Sequence, residues 1–291
     1  MKYIGILANI HKPAITNVLQ KFFDDVKMSK RSFFILDDIK KVIPQIPNHI
    51  KLTKKIDDFS DIALIAAFGG DGTILRAAQM VGSRQIPILG VNMGGLGFLT
   101  VTSPEKAFSS IEKFLENNLK VESRSVLKLS IKNENKSYFA LNDFVIDKSG
   151  FARPIKITVW VEGMLLNSYI ADGLIISTPT GSTAYSLANG GPIIMPTTRN
   201  FIINPICPHT LSNRPVVISD DVKIRIAVQS ELNHFNIFGD GQNLGVYSCE
   251  QEILFCNAGY TINLIQTPEQ EFYSTLREKL GWGDDFRNKN Q

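Results

Sequence analysis

The first 120 residues alternate between two hydrophobic periods. Short, almost wholly apolar runs have the pattern of strands buried on both faces of a parallel sheet, and they occur at 3–8, 32–36, 62–68 and 86–91. Apolar residues recur at helical spacing between or after these runs, at 15–26, 74–81 and 108–115. Because strand and helix alternate, we predict an α/β domain over residues 1–120, with a parallel sheet covered by helices.

From about Val121 the pattern changes to strict alternation of apolar and polar residues. This is typical of antiparallel strands with one buried face, and the clearest runs are 127–132, 155–162 and 222–228. We therefore predict an all-β domain over residues 121–266. Helical spacing returns at Phe272, Leu276 and Leu280. It predicts a C-terminal helix and tail, 267–291, that docks back onto the first domain.

The composition of the chain limits the classes of protein to which it can belong, but it does not indicate a function. A chain of 291 residues with 44% hydrophobic and 20% charged residues suits two domains with substantial cores. The net charge of +3 comes from scattered residues, which is weak support for nucleic-acid binding. No apolar run approaches the about 20 residues of a membrane span, and the N-terminus lacks a signal-peptide pattern. We predict a soluble, cytoplasmic protein, with three cysteines that serve as small buried side chains.

The segment Gly69-Gly70-Asp71-Gly72-Thr73, called the glycine turn below, joins a predicted buried strand to a predicted helix. A helix start presents main-chain N–H groups to phosphate, and glycines let a bulky anion approach. Asp71 repels phosphate, so it would instead bind Mg²⁺ or accept a proton from a hydroxyl that attacks phosphorus. The structural alternative is an Asp-Gly turn that only caps the helix.

A second glycine-rich strand end follows at residues 90–99, called the second glycine segment below. Loops at the carboxyl ends of neighbouring parallel strands converge on one crevice, where open α/β sheets bind ligands. Phe98 in this segment would either stack on a base or belong to the core.

The second domain carries the most informative stretch, Asp172 to Ser186. A short buried strand runs into Thr178–Thr183, called the hydroxyl loop below, which is dense in Ser and Thr. Its hydroxyls and N–H groups would bind ribose, amide or phosphate oxygens, or would only cap a turn. Asn142 and Asp143 interrupt an apolar run, and a ribose diol would satisfy both. The Asp240-Gly241-Gln242 stretch has the pattern of a simple hairpin.

Taken in order, these motifs resemble the bacterial NAD kinase family, and the resemblance covers nearly the whole chain. The segments that carry it are 69–73, 92–99, 141–143, 172–186, 205–215 and 276–282. The glycine turn alone is weak, since diacylglycerol-type lipid kinases and phosphofructokinases have similar turns. The stretch Thr178–Tyr185 is far more specific. The resemblance implies a Rossmann-like N-terminal domain, a C-terminal β-sandwich, and transfer of the ATP γ-phosphoryl group to the 2′-hydroxyl of the adenosine ribose of NAD.

By motif position, the resemblance makes Asp71 the proton acceptor and implies Mg²⁺, or another divalent metal, with ATP. It also implies a set of NAD contacts: Asp71, Gly72, Arg76, Asn142, Asp143, Arg153, Asp172, Thr183, Ala184, Tyr185, Ser186, Leu187, Ala188 and Gln242. Arg76 lies one helical turn past Asp71 and would reach a phosphate, or would simply be an exposed helical arginine.

Two positions depart from the family pattern. Asp143 stands where many members have Glu, and Ile170 stands where several have a basic residue. The resemblance therefore does not tell how this chain would bind the phosphorylated product. The alternatives to an NAD kinase are a lipid kinase with the same glycine turn and a non-catalytic NAD(P) sensor. The resemblance further implies NAD and ATP, with polyphosphate as a possible donor, as partners, and a homodimer or homotetramer. We predict no nucleic-acid or membrane partner.

Overall fold

The computed structural model describes residues 2–43, 46–48, 50–53, 55–95, 97–132, 134, 136–150, 153–268 and 271–282. These residues form two compact units, divided after Glu122 and after Ile262. Unit 1 contains the described residues before the first division and after the second, and unit 2 is Ser123–Ile262. Leu96 of the second glycine segment and the predicted tail beyond residue 282 lie outside the described residues.

The helices are α1 Ile15–Val26, α2 Asp71–Val81, α3 Ala107–Leu115, α4 Tyr185–Ala188 and α5 Phe272–Leu280. The first strands are β1 Tyr3–Ala8, β2 Ser32–Leu36, β3 Ile50–Thr53, β4 Ile62–Gly69, β5 Ile88–Asn92, β6 Lys120–Ile131, β7 Ser137–Ala140 and β8 Asp143–Lys148. The remaining strands are β9 Ile155–Val161, β10 Met164–Ala171, β11 Gly173–Ser177, β12 Asn200–Ile206, β13 Val216–Ser219, β14 Ile224–Gln229, β15 His234–Gly239, β16 Gln242–Ser248 and β17 Ile253–Gln266.

Unit 1 is built on a parallel sheet in the order β3-β2-β1-β4-β5, which confirms the predicted α/β class. The last residues of β17 belong to this unit, where Leu264 pairs in parallel with Ile88 of β5. Its core combines apolar residues of β1, β2, β4 and β5 with those of α1 and α3. The helical spacing of apolar residues in α1 explains this packing, because it places Leu19, Phe22 and Phe23 on one face.

The C-terminal helix α5 also belongs to unit 1, in agreement with the prediction that it docks onto the first domain. Leu276 is buried, and the ring centroid of Phe272 lies 6.3 Å from that of Phe98 in the second glycine segment. The ammonium group of Lys279 lies 4.5 Å from the Phe98 ring centroid. Phe98 is half-buried and therefore packs against α5 within unit 1 without being part of its apolar core.

Unit 2 is an antiparallel β-sandwich, as predicted. One sheet has the order β13-β12-β11-β8-β15-β16, and the other contains β10-β9-β14-β17, with β6 paired to β17 and β7 paired to β6. The core between the sheets takes alternate residues of strands such as β9 and β14, namely Ile155, Ile157 and Val159 of β9 and Ile224, Ile226 and Val228 of β14. Strict alternation in the sequence is thus the record of one buried and one outward face.

Three local features differ from the sequence analysis. Strand β3 was not predicted, because Ile50 to Thr53 is short and buries only its two end residues. The apolar run that contains Asn142 is not one strand, since it breaks between β7 and β8 at Leu141 and Asn142. The prediction of buried cysteines was wrong: Cys207 is exposed, and Cys249 and Cys256 are half-buried.

Candidate active site

The glycine turn lies where β4 of unit 1 ends and α2 begins. Gly70 is extended, and α2 starts at Asp71 directly after it. A side chain at position 69 would collide with the hydroxyl of Thr73, so the first glycine is required by close packing. The turn therefore brings a helix start and its positive dipole end to the carboxyl edge of the parallel sheet, which suits an anionic ligand.

The carboxylate of Asp71 joins the two glycine-rich loops of unit 1. The main-chain N–H of Phe98 donates a hydrogen bond of 3.0 Å to Oδ2, and that of Leu99 donates one of 3.0 Å to Oδ1. Asp71 is therefore held by two fixed donors from the second glycine segment. This confirms that the two loops converge, and it goes beyond the helix cap that was the structural alternative.

A cavity of about 580 Å³, called the cationic cavity below, opens beside the glycine turn in unit 1. It is lined by the loop after β1, by side chains that follow β2, and by the start of α2: Asn9, Ile10, His11, Lys12, Asp38, Lys41, Gly70, Gly72, Thr73 and Arg76. Three of these residues are cationic and one is anionic. The lining therefore favours a ligand with several negative charges.

Arg76 points into the cationic cavity and is paired there rather than projecting alone from the helix. It donates to Oδ2 of Asp38 at 2.9 Å, and Lys41 donates to Oδ1 of the same carboxylate at 2.9 Å. The hydrogen bonds from Lys41 and then Arg76 hold the pKa of Asp38 below its ordinary value. Since these groups are about 40% exposed or more, an incoming phosphate can compete for both cations.

In unit 2, the loop at Leu141–Asp143 is held by the carboxylate of Asp240. The main-chain N–H groups of Leu141 and Asn142 donate to it at 2.9 and 2.8 Å, and that of Asp143 donates at 3.3 Å. These three bonds explain why the strand breaks here. Asp240 itself sits in a tight turn with Gly241, where φ is positive at both residues, so the predicted hairpin is present and has a second role.

Asp143 is buried next to this second carboxylate. Only 4% of the residue is exposed. Burial, and to a lesser degree the charge of Asp240, raises the pKa of Asp143 to about 7. Burial also raises the pKa of Asp240, although its main-chain donors oppose that change. A buried carboxyl of this kind needs a polar partner, which a ligand hydroxyl would provide.

The hydroxyl loop lies directly against the Leu141–Asp143 loop. The main-chain N–H of Thr178 donates to the carbonyl of Asn142 at 2.8 Å, and the Thr178 hydroxyl donates to the carbonyl of Leu141 at 2.5 Å. A side chain at Gly181 would collide with the carbonyl of Asn142. The structure therefore brings together two motifs that are about 35 residues apart in sequence.

The segment after the hydroxyl loop presents some of its side chains and buries others. Tyr185 is 47% exposed. Burial raises the pKa of its hydroxyl, and the charge of Asp147 raises it further, with smaller effects of Cys207 and Asp143. Ser186 is fully buried, and its hydroxyl and carbonyl oxygens accept hydrogen bonds from the Asn204 amide at 3.2 and 3.1 Å. Thr183 donates to the carbonyl of Thr180 at 3.2 Å.

Three further predicted contacts also lie in unit 2. Asp172 forms an ion pair with Lys148, with 2.7 Å between its Oδ1 and the lysine Nζ. Arg153 pairs with Glu231 at 2.9 Å on the exposed surface. Gln242 begins β16 directly after the turn formed by Asp240 and Gly241.

Sequence reasoning missed two groups of residues at these sites. The loop after β1 and the side chains of Asp38 and Lys41 lie at the same sheet edge as the glycine turn. The rule that carboxyl ends of parallel strands share one edge could have found them. Asp240 was interpreted only as part of a hairpin, and nothing in its local sequence indicates that it binds a loop about 100 residues away.

Metal and membrane features can be assessed within the described ranges. There, no three His, Cys, Asp or Glu side chains are grouped as metal ligands. Mg²⁺ commonly takes one or two carboxylates together with substrate phosphates, and the single carboxylate of Asp71 at the glycine turn fits that donor set. Among the helices of the described part of the chain, none has both the length and the apolar character that crossing a membrane requires.

An α/β unit with a glycine turn at a helix start, and a β-sandwich with a hydroxyl-rich loop, together suit the class of small-molecule kinases that act on a nucleotide. Comparison with known proteins narrows this class. The model of the ATP-NAD kinase N-terminal domain matches residues 4–119, and that of the ATP-NAD kinase C-terminal domain matches 141–267.

Individual relatives agree over almost the full length. An NAD kinase of Geotalea daltonii is 38% identical over 98% of this chain and 100% of its own, and one of Syntrophobacter fumaroxidans is 40% identical over 97% and 99%. The crystal structure of a yeast NADH kinase complexed with NADH superposes with a TM-score of 0.89 at 26% identity, covering 99% of this chain and 90% of that one. The chain therefore belongs to the ATP-NAD kinase family, and its activity is that of an NAD kinase.

Proposed function

We propose that this kinase transfers the γ-phosphoryl group of ATP to the 2′-hydroxyl of the adenosine ribose of NAD, with Asp71 as the proton acceptor. The observation that carries this proposal is the geometry of Asp71. Its carboxylate stands at the glycine turn, next to the cationic cavity, and is oriented by two main-chain donors. Orientation of a base and neutralisation of phosphate charge are what phosphoryl transfer requires of a protein.

The reaction at this site has three linked events. The ribose 2′-oxygen forms a bond to the γ-phosphorus, the bond from that phosphorus to the β,γ-bridging oxygen breaks, and ADP leaves with the electron pair. The hydroxyl proton passes to a carboxylate oxygen of Asp71. Each of these oxygens accepts one main-chain hydrogen bond, so each keeps a lone-pair direction for the proton.

For the donor, the cationic cavity has the size and charge that a nucleoside triphosphate needs. Ligand pockets typically measure about 300–1,000 Å³, and the volume here falls within that range. Lys12, Lys41 and Arg76 would neutralise the phosphates. A magnesium ion bound with the donor would neutralise further charge on the β- and γ-phosphates.

For the acceptor, the contacts in unit 2 favour a dinucleotide. Asn142 and Asp143 would hold the ribose, since an amide beside a buried carboxyl suits a diol. The exposed ring of Tyr185 offers a face for a base. Ser186 is fully buried and its hydroxyl accepts a hydrogen bond from the Asn204 amide, so we assign it to support of the loop. We assign the contacts with NAD in this segment to Thr183, Ala184, Tyr185, Leu187 and Ala188. Gly72, Asp172, Arg153 and Gln242 complete the proposed set.

We expect Asp71→Asn to lower kcat about 100- to 10,000-fold while NAD still binds, because the amide keeps the shape but is not a base. NADP formation from ATP, Mg²⁺ and NAD gives kcat, and calorimetry gives NAD affinity. Asp24→Asn on the exposed face of α1 is the matched control. Near-normal turnover of Asp71→Asn would rule out the base assignment, and absence of NADP with every donor, polyphosphate included, would favour the non-catalytic sensor.

The resemblance supports two further proposals for this chain, an assembly of two or four copies and a cytoplasmic location. Light scattering coupled to size-exclusion chromatography tests the first, and fractionation of the source cells tests the second. A monomer or a membrane-bound fraction would contradict them.

A further inference from the structure

Gly97, in the second glycine segment, leaves open a space between two oxygen atoms. A Cβ atom at this position would collide with Oδ1 of Asp71 and would lie 2.7 Å from the hydroxyl oxygen of Thr100. The φ angle of Gly97 is outside the left-handed region, so backbone conformation does not require glycine here. Glycine is required here by space, because any side chain at position 97 would fill the gap between the Asp71 carboxylate and the Thr100 hydroxyl.

The hydroxyl of Thr100 is in an unusual state for a buried polar group. Thr100 is fully buried, and within the ranges that the structure describes its Oγ1 has no hydrogen-bond partner. Buried hydroxyls are nearly always paired, and an exception calls for a functional or structural reason. A nearby acceptor is the Asp71 carboxylate across the gap, since an ionised carboxylate accepts hydrogen bonds at both oxygens.

The segment that contains Thr100 is fixed from behind. The main-chain N–H groups of Val101 and Thr102 donate to the carbonyl of Gly90 at 2.9 and 3.2 Å. A side chain at Gly90 would press on the main chain of Leu99 and Thr100, at 2.6 and 2.9 Å. Close packing against β5 therefore fixes the main chain of Thr100. Its hydroxyl can still move by rotation of the side chain.

We propose that Thr100 is a positioning residue for Asp71, a proposal that rests on the proposed role of Asp71 as proton acceptor. When the acceptor ribose is bound, the Thr100 hydroxyl donates to Oδ1 of Asp71. Oδ1 then accepts two hydrogen bonds, one from Thr100 and one from the Leu99 N–H. Oδ2, with the Phe98 N–H as its donor, is left to take the proton of the ribose hydroxyl. Thr100 thus selects which oxygen acts as the base.

Two pairs of variants test the hydroxyl separately from the packing. Thr100 and Thr100→Val have the same shape and differ in the hydroxyl. Thr100→Ser and Thr100→Ala both lack the methyl group and differ in the hydroxyl. We expect the members that lack the hydroxyl to lose about 10-fold or more in kcat relative to their partners, with the KM for NAD changed less than about twofold. If Thr100→Val does not fold, the Ser and Ala pair decides the result.

Any one of three results would overturn the proposal: equal kcat in the unaltered protein and a folded Thr100→Val variant, equal kcat in Thr100→Ser and Thr100→Ala, or a change confined to KM. Asp71→Asn, assayed beside these variants, separates this inference from the proposed function. If Asp71→Asn is inactive and the Thr100 pairs are equal, only the positioning role is wrong. If Asp71→Asn is nearly normal, the base assignment is wrong, and the role of Thr100 is wrong with it.

Discussion

Asp71 is fixed by main-chain groups from a loop that begins about 20 residues further along the chain. Its orientation therefore depends less on its own neighbours in sequence than on the close approach of two loops. Glycine is needed where they meet, because any side chain at position 97 would occupy the space of the carboxylate. In unit 2, Asp240 has the corresponding task for the loop that carries Asn142 and Asp143.

At Gly97, we expect substitution by alanine to lower kcat about 100-fold, because the new Cβ displaces the Asp71 carboxylate from its donors. Gly95→Ala is the matched control, since a Cβ there meets no described atom within 4 Å. Steady-state kinetics and thermal melting of both variants check this expectation. Equal kcat in the two alanine variants would show that the gap at Gly97 has no bearing on the base.

At Asp143, burial makes stability depend on pH. Its pKa in the folded protein is raised to about 7, so between about pH 4 and pH 7 the folded state holds a proton that the unfolded chain has released. The protonated carboxyl therefore contributes stability at low pH that is lost as pH rises through 7. We expect Asp143→Asn to gain about 1 kcal/mol or more over the unaltered protein between pH 5 and pH 8. Unfolding by urea at the two pH values measures it, and a constant difference between the two proteins would contradict the shift.

Among the elements, helix α5 shows how a segment distant in sequence completes unit 1. Its Leu276 is buried, while Leu280, one turn further on, is 36% exposed. The Phe98 ring packs beside Phe272 and under Lys279, so the helix also supports the second glycine segment. Helical spacing in the sequence predicted α5 but did not show which residue it would contact.

We expect Leu276→Ala to lower the free energy of unfolding by about 2–5 kcal/mol, because it leaves a cavity in a packed site. Leu280→Ala removes the same atoms from a position that is already partly exposed to solvent, so we expect a smaller loss, of about 1 kcal/mol. Chemical denaturation of the two variants gives the comparison. Similar losses in both would mean that α5 is not held by its buried face.

On the scale of the whole molecule, the chain passes from unit 1 to unit 2 within β6 and returns within β17. Unit 1 is therefore made of two separate stretches of sequence, and each unit has its own apolar core. The domain limits near residues 120 and 266 came from a change in hydrophobic period. That period indicates the local type of element, but it does not indicate that one strand is shared between two units.

The sequence by itself determined the classes of element, the location of the glycine turn and the family. Those properties are local: burial on one or two faces leaves a period in the chain, and motifs keep their spacing. Tertiary structure alone decided that Asp71 is held by Phe98 and Leu99, that Asp240 holds the Asn142 loop, and that Asp38 pairs with Arg76 in the cationic cavity. Each of these contacts joins residues that are 27 to 98 positions apart, and only packing of complete elements brings such residues together.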